Sequence, residues 1–175
     1  PLKAKSSLDK ALSENLEDTR LEVRMGALTG LAVAYAGQRR EELLDFFENP
    51  INNATSISEA SMAALALGMT HVGTCNEDAA NIIVTKLMEA NDTELDDQMS
   101  RFMCLGLGLL YMGRTERCEA MMEIVGTIEH KRGKYCSIVL EACAYAGTGD
   151  VLKIQSLLRM CAEHLSDPVE ANHQT

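Results

Sequence analysis

Residues 59–74 read EASMAALALGMTHVGT, a stretch that is apolar on every side, rich in alanine and followed by a glycine turn. An apolar run of this length without strict alternation predicts a buried helix. Gly73 supplies the left-handed conformation that helix C-termini favour. The pattern recurs in VRMGALTGLAVAYAGQ (23–38), RFMCLGLGLLYMGR (101–114) and YCSIVLEACAYAGT (135–148). Anchored on Gly37, Gly73, Gly113 and Gly147, the segments lie 36, 40 and 34 residues apart. Two positions before the anchors stand Tyr35, His71, Tyr111 and Tyr145; five before stand Ala32, Gly68, Gly108 and Ala142; seven before stand Gly30, Ala66, Gly106 and Leu140. Small residues at this spacing let neighbouring helices approach closely.

Each glycine is followed by an amphipathic stretch: residues 40–49, 77–91, 116–128 and 150–165. Asp150 is a plausible N-cap for the last. Residues 8–18, LDKALSENLED, read as the outer helix of a preceding partial repeat. The unit is thus a buried inner helix, a glycine turn and an amphipathic outer helix, repeated about every 34–40 residues. Such units stack into an all-α solenoid. An ordinary helical bundle with coincidental spacing is the competing architecture. Inner helices are expected near 20–36, 57–72, 95–112 and 133–146. Outer helices are expected near 7–17, 39–48, 77–90, 115–128 and 150–164. The implied organisation is one helical domain over residues 1–165. It comprises a partial repeat at 1–18, repeats at about 19–53, 54–92, 93–130 and 131–165, and a flexible tail at 166–175.

The chain has 175 residues, and its 16 Lys and Arg against 26 Asp and Glu leave a formal charge of −10. That balance argues against nucleic acid and against anionic membrane surfaces as partners. No apolar run approaches the roughly 18 residues of a membrane span. With no Trp and 4% aromatics, the core must come from aliphatic residues and Met. The first residue is Pro1 rather than Met, which reads as a fragment. The six cysteines (Cys75, Cys104, Cys118, Cys136, Cys143 and Cys161) form no C-x-x-C pair. They read as small buried hydrophobes in a reducing compartment, with a reactive thiol as the alternative. His71 and Cys75 are four apart, but no second pair completes a metal site.

Catalytic patterns are missing from the sequence. None of His71, His130, His164 and His173 lies in a recognisable nucleophile motif. LGLGLLYMG lacks the strand–turn–helix context and the Lys of a phosphate loop. The glycines of GTGDVLK (147–153) could hold an anion at a helix N-terminus, although a helix turn explains them more simply. The expectation is a non-enzymatic chain without metal or cofactor.

The charge gathers in one place. Residues 77–97 carry seven acids against Lys86, a net −6. At about 100° per residue, Asp78, Ile82, Thr85 and Glu89 form one stripe. Ala79, Ala80, Ile83, Val84, Leu87 and Met88 occupy the apolar face. Asp96 and Asp97 read as a solvated loop. An Ile between carboxylates suits a partner with a small apolar patch rimmed by bases.

The glycine-rich inner helices resemble those of the proteasome/cyclosome repeat family, found in large scaffold subunits of the eukaryotic 26S proteasome and the anaphase-promoting complex. HVGTCNEDAANIIVTKLME (71–89) and CAYAGTGDVLKIQSLLRMCAEH (143–164) resemble the family's ubiquitin-receptor scaffold of the proteasome base, and the likeness covers about residues 20–165. The resemblance implies a segment of a toroid with inner and outer helical layers, working in cytoplasm and nucleus. It implies docking to other base subunits, including the ATPase ring. It also implies that outer helices here bind ubiquitin, ubiquitin chains and the ubiquitin-like domains of shuttle proteins. Carried over residue by residue, the family's motif falls on Asp78, Thr85 and Glu89, with Ile82 between them. Thr85 stands where some members carry an acid, which puts one charge contact in doubt; Asp92 and Glu94 are the nearby acids. Glu42, Asp45, Glu116 and Glu119 on the flanking outer helices are further candidates. A purely structural scaffold segment, without a ubiquitin site of its own, is the alternative function.

Overall fold

The computed structural model describes residues 14–162. Among these there are nine α-helices, two short 3-10 turns and no strand. The helices are α1 (Leu21–Ala34), α2 (Glu41–Asn52), α3 (Ile57–Thr70), α4 (Glu77–Glu89), α5 (Asp92–Asp96), α6 (Arg101–Leu110), α7 (Thr115–Gly126), α8 (Lys131–Tyr145) and α9 (Val151–Ala162). The inner row is α1, α3, α6 and α8, each packed on the next. The outer helices lean forward: α2 packs on α3, α4 on α6 and α7 on α8, while α2 also touches α4. This is the two-layer solenoid that the repeat spacing predicts. Most of the expected partial-repeat helix at 7–17, the end of the last helix and the tail at 166–175 lie outside the described residues. Asn15–Glu17 is a 3-10 turn against α1.

Burial follows position in the stack. α3 and α6 have inner neighbours on both sides and bury ten and six residues, respectively. α1 and α8 are end members of the described row and are less enclosed; Val33 is 62% exposed. Leu28, Leu31, Leu67 and Leu107 are fully buried. Each such side chain contributes roughly 1.5–3 kcal/mol of transfer free energy.

The inner helices meet backbone to backbone. A Cβ added at Gly68 would lie 2.2 Å from the Gly106 carbonyl oxygen, and one at Gly106 would lie 2.3 Å from that of Ala64. No side chain fits between α3 and α6 at this crossing. A second coupling runs through the turns. Gly73, at φ +66°, donates its N–H to the Leu109 carbonyl at 2.9 Å. Gly37 makes the same bond to Met69, and Gly113 to Cys143. Two residues on, Arg39 and Cys75 also adopt positive φ and donate to Thr70 and Leu110. Each turn is therefore pinned to the last turn of the following inner helix, satisfying carbonyls that a helix end leaves orphaned.

One side-chain network joins the first two repeats. Arg24 Nε meets Glu59 Oε1 at 2.6 Å, and its terminal nitrogen meets Oε2 at 2.9 Å. The backbone N–H and hydroxyl of Thr55 donate to the same carboxylate. The Arg24 guanidinium holds the Glu59 carboxyl below the usual carboxylate range.

Three expectations need correction. The inner helix expected over 95–112 is broken into α5, a 3-10 turn at Gln98–Ser100 and α6. A capping box between Asn91 and Glu94 starts α5. The Asp97 side chain then accepts from the Met99 N–H. Arg132 and the Ser100 hydroxyl both donate to the Leu95 and Asp97 carbonyls at the break, and the Ser100 N–H adds a bond to Asp97. The first outer helix runs on to Asn52, with Pro50 accommodated in its last turn. Finally, all six cysteines are free, but only four are buried: Cys143 is half-buried and Cys161 exposed. Burial pushes the Cys118 thiol up to about 11.

Two stability measurements check this packing. Gly106→Ala gains helix propensity of about 1 kcal/mol, yet its methyl must displace the α3 backbone. We expect a net loss of about 1–3 kcal/mol and a lower Tm. Gly26→Ala, in α1 with no atom within 4 Å of the new carbon, should instead gain about 0.5–1 kcal/mol. The second measurement concerns His71, which is buried beside the Thr70 hydroxyl. Desolvation holds its imidazole below the ordinary value of 6.5. Just below that pH the unfolded chain binds a proton that the folded chain does not, so stability falls as pH drops. The Glu59 window opens only below 4.5, so the two are separable. Tm should decline from about pH 6.5 towards pH 5 in the wild type. His71→Tyr, the residue found in the other three repeats, should flatten the curve there.

Candidate functional site

The helix that carries the acidic stripe is placed by its preceding turn. Cys75 and Gly73 bond to the end of α6. Thr74 donates its hydroxyl to the His71 carbonyl and accepts from the Asn76 N–H. Asn76 Oδ1 then accepts from the Ala79 N–H at 2.8 Å and caps α4. This chain of contacts fixes where Asp78 leaves the turn.

On α4, Ala79, Ala80, Ile83, Val84 and Leu87 are buried. Asp78, Asn81, Thr85 and Glu89 are exposed and Ile82 is half-buried. The stripe therefore exists as a surface, about 16 Å from Asp78 to Glu89 at 1.5 Å per residue. Met88 does not join the buried face: it is 56% exposed. At about 100° per residue it lies about 110° from the centre of the buried face. The polar band of Asp78, Thr85 and Glu89 thus has Ile82 on one border and Met88 on the other. Residue type hid Met88, whereas its angular position would have revealed it.

The acids are not equivalent. Asp78 sits in the first turn, where it complements the helix dipole, whereas Glu89 ends the helix against it. Among the described residues neither has an ion-pair partner. Glu94 is committed to the capping box of α5, with its carboxylate accepting from the Asn91 N–H. Asp96 is paired with Lys131 at 2.5 Å, and this ammonium holds its carboxyl low. Asp97 caps the following turn. Asp96 is solvated, as expected, but ion-paired at the end of α5; Asp97 is a half-buried turn cap, and Glu94 is engaged in the capping box. Asp92 remains exposed.

One flanking helix, α2, packs directly on α4, and burial pushes the Cys75 thiol up while the positive charge of Arg117 on α7 works against it. A cleft of about 270 Å³ lies at the far end, between Met88, Asp92 and Leu95 and the loop residues Ile128, Glu129 and His130. Of the weaker candidates, Glu42 is exposed but bonded to Arg40. Asp45 is exposed and lines a separate hollow against Arg24 and Phe46. Glu116 and Glu119 are exposed on α7.

The two described histidines have local tasks. His71 packs on Thr70, and His130 caps α8 by accepting from the Arg132 N–H. Among the described residues no three His, Cys, Asp or Glu side chains gather in a way that could hold a metal ion. In GTGDVLK, Asp150 accepts from the Lys153 N–H, as a helix cap does.

The proteasome/cyclosome repeat profile matches residues 62–94, which run from the middle of α3 through α4 into α5. The chain is a proteasome/cyclosome-repeat protein. It is 45% identical over 150 residues to the 26S proteasome regulatory subunit rpn-1 of Neurospora crassa, covering 85% of this chain and 17% of that one. It is 35% identical over 168 residues to the 26S proteasome non-ATPase regulatory subunit 2 of Dictyostelium discoideum, covering 94% and 19%. Against the rpn1 regulatory subunit of Schizosaccharomyces pombe it is 41% identical over 143 residues, covering 81% and 16%. The chain thus spans under a fifth of the length of these curated relatives.

The cap at Asn76 gives a local test of how the stripe is held. Asn76→Ala removes the acceptor for Ala79 and should cost about 0.5–2 kcal/mol. Hydrogen exchange should rise in the first turn of α4 and not in α1.

Proposed function

We propose that this chain is a non-catalytic scaffold segment of a proteasome regulatory particle, and that the α4 face docks ubiquitin, ubiquitin chains and the ubiquitin-like domains of shuttle proteins. The scaffold part rests on the relatives, which are named as 26S proteasome regulatory or non-ATPase subunits. By the same reading its neighbours are other base subunits, including the ATPase ring, in cytoplasm and nucleus. The docking part rests on one observation above all: two carboxylates without ion-pair partners among the described residues share an exposed band whose borders are Ile82 and Met88. Such a band offers apolar contact for affinity and acids for steering and register. Asp78 and Glu89 face the partner's bases, and Ile82 and Met88 face its apolar patch. Thr85 supplies a neutral contact between them. Glu116 and Glu119 on α7 add long-range attraction, whereas Glu42 and Asp45 contribute less.

Titration of monoubiquitin, linkage-defined chains and a ubiquitin-like domain into isotope-labelled protein tests this. Saturable shifts should centre on residues 78–89 and spread to α2 and α7. Asp78→Arg with Glu89→Arg should weaken binding at least tenfold, since repulsion replaces attraction, and should leave Tm nearly unchanged. Raising salt should weaken the wild type more than this double variant. Ile82→Ala and Met88→Ala should each cost about 1 kcal/mol of binding, mainly through faster dissociation. If the folded double variant binds as well as wild type, the docking face lies elsewhere and the purely structural scaffold reading takes its place for α4.

A further inference from the structure

Arg101 brings a charge to a register position that the other repeats fill with neutral residues. Twelve residues before the four turn glycines stand Met25, Ser61, Arg101 and Tyr135. Ser61 is buried and donates its hydroxyl to the Ile57 carbonyl of its own helix at 2.6 Å. Arg101 finds no such acceptor. Its Nε is buried, and among the described residues it has no hydrogen-bond partner. Nor does its guanidinium pair with an acid among them. Stacking at this position does not require a charge, and a donor buried without an acceptor is unfavourable.

A second cation lies close by. The ring of Tyr135 on α8 has Arg101 at 5.6 Å from its centroid and Arg132 at 5.3 Å. A π face attracts each cation, but this contact leaves the N–H groups of a guanidinium in need of acceptors. Arg132 directs its own at the Leu95 and Asp97 carbonyls, whereas the Nε of Arg101 has none. Burial lowers the Arg132 guanidinium from its usual range, and the like charge of Arg101 acts in the same direction. Two cations thus share one ring, and among the described residues no carboxylate pairs with either.

Arg101 and Tyr135 line a cavity of about 320 Å³ between α6 and α8. Gln98 is its third polar residue, and Phe102, Leu105 and Val139 form apolar walls. Among the described residues no acid lines it. Every lining residue belongs to α6, to α8 or to the 3-10 turn before α6, so the cavity lies at a junction within the stack. Apolar walls with a few convergent polar groups are the form of a small-ligand site. A guanidinium edge with an unused Nε matches the two oxygens of a carboxylate. We infer that this cavity binds a small monocarboxylate with an aromatic or branched aliphatic stem, its carboxylate on Arg101 and its stem against Phe102, Leu105 and Val139. The bound anion supplies the acceptor that Arg101 lacks and offsets the repulsion between the two guanidinium groups. The inference does not depend on ubiquitin docking, because none of these residues lies on α4.

Titration of phenylacetate into the isotope-labelled chain tests it, with phenylacetamide, uncharged and of the same shape, as the control. Phenylacetate should give saturable shifts centred on residues 98–105 and 135–139, with a Kd in the millimolar range expected of so few atoms. The amide should bind roughly tenfold more weakly, since it offers Arg101 no charge. Arg101→Met keeps the apolar length and removes the donors. It should lose roughly tenfold in affinity for phenylacetate while staying folded, because no unpartnered donor is left behind. Arg101→Lys keeps a cation near the Tyr135 ring without the Nε donor, and its affinity should fall severalfold; it decides the matter if the Met variant does not fold. A tetrapeptide ending in phenylalanine carries the same carboxylate on a longer chain and should bind more weakly than the free acid. Shifts that do not saturate, or that centre elsewhere, overturn the inference. So does an amide that binds as well as the acid, or a folded Arg101 variant with wild-type affinity. Tighter binding of the peptide than of phenylacetate overturns the assignment to a small molecule.

Discussion

The hydrogen bond from a turn glycine to the last carbonyls of the next inner helix governs this structure. It is made by Gly37, Gly73 and Gly113 at 2.9–3.1 Å. A helix C-terminus leaves carbonyls unpaired, and a buried unpaired carbonyl costs about as much as a lost hydrogen bond. Here the following repeat's carbonyls are satisfied by the preceding repeat's turn, so neither element is complete without the other. The bond also sets the height at which adjacent inner helices meet. Only at that height do Gly68 and Gly106 face each other, so that the α3 and α6 backbones touch. Turn and crossing therefore constrain one another, and a change in either is transmitted to the next repeat.

This constraint explains which features were legible in sequence. A glycine at positive φ and a glycine at a backbone crossing both exclude other residues, so both leave a periodic trace. The four turn glycines, and the small residues five and seven positions before them, marked the inner helices and their order. The second rung left no such trace. Arg39 and Cys75 take the left-handed conformation without being glycine, because the carbonyl waiting for their N–H offsets the strain. Gly149 occupies the same position in the last turn and was read only as part of a helix turn. The break at Asp97 was hidden for a related reason. The local Ser100 hydroxyl shares the freed carbonyls with Arg132, 35 residues from Asp97, whose donors come from another repeat. Local periodicity carries no information about such a partner. The Asn91-x-x-Glu94 capping box was a local signal and was there to be read.

The candidate site divides along the same line. Helical spacing alone located Asp78, Ile82, Thr85 and Glu89 on one exposed stripe. It could not say which of the seven acids in residues 77–97 have structural partners, since those partners come from other elements. Lys131 neutralises Asp96, and the backbone N–H groups of Asn91 and Met99 engage Glu94 and Asp97. A net charge counted over a segment overstates the charge that a partner meets.

The acids that remain explain why a docking face can sit on α4 without weakening the stack. This helix is tied to the stack by its turn, through Gly73 and Cys75, and by its buried face of Ala79, Ala80, Ile83, Val84 and Leu87, with Ile82 packed at the edge of that face. Asp78, Thr85, Met88 and Glu89 are exposed, so the surface is free to vary while the turn and the crossing are not. A solenoid held together through backbone bonds and small side chains places little demand on its outermost residues. Thr85, standing among carboxylates, is the kind of substitution that such a division tolerates: it changes what the surface attracts and leaves the packing beneath it untouched.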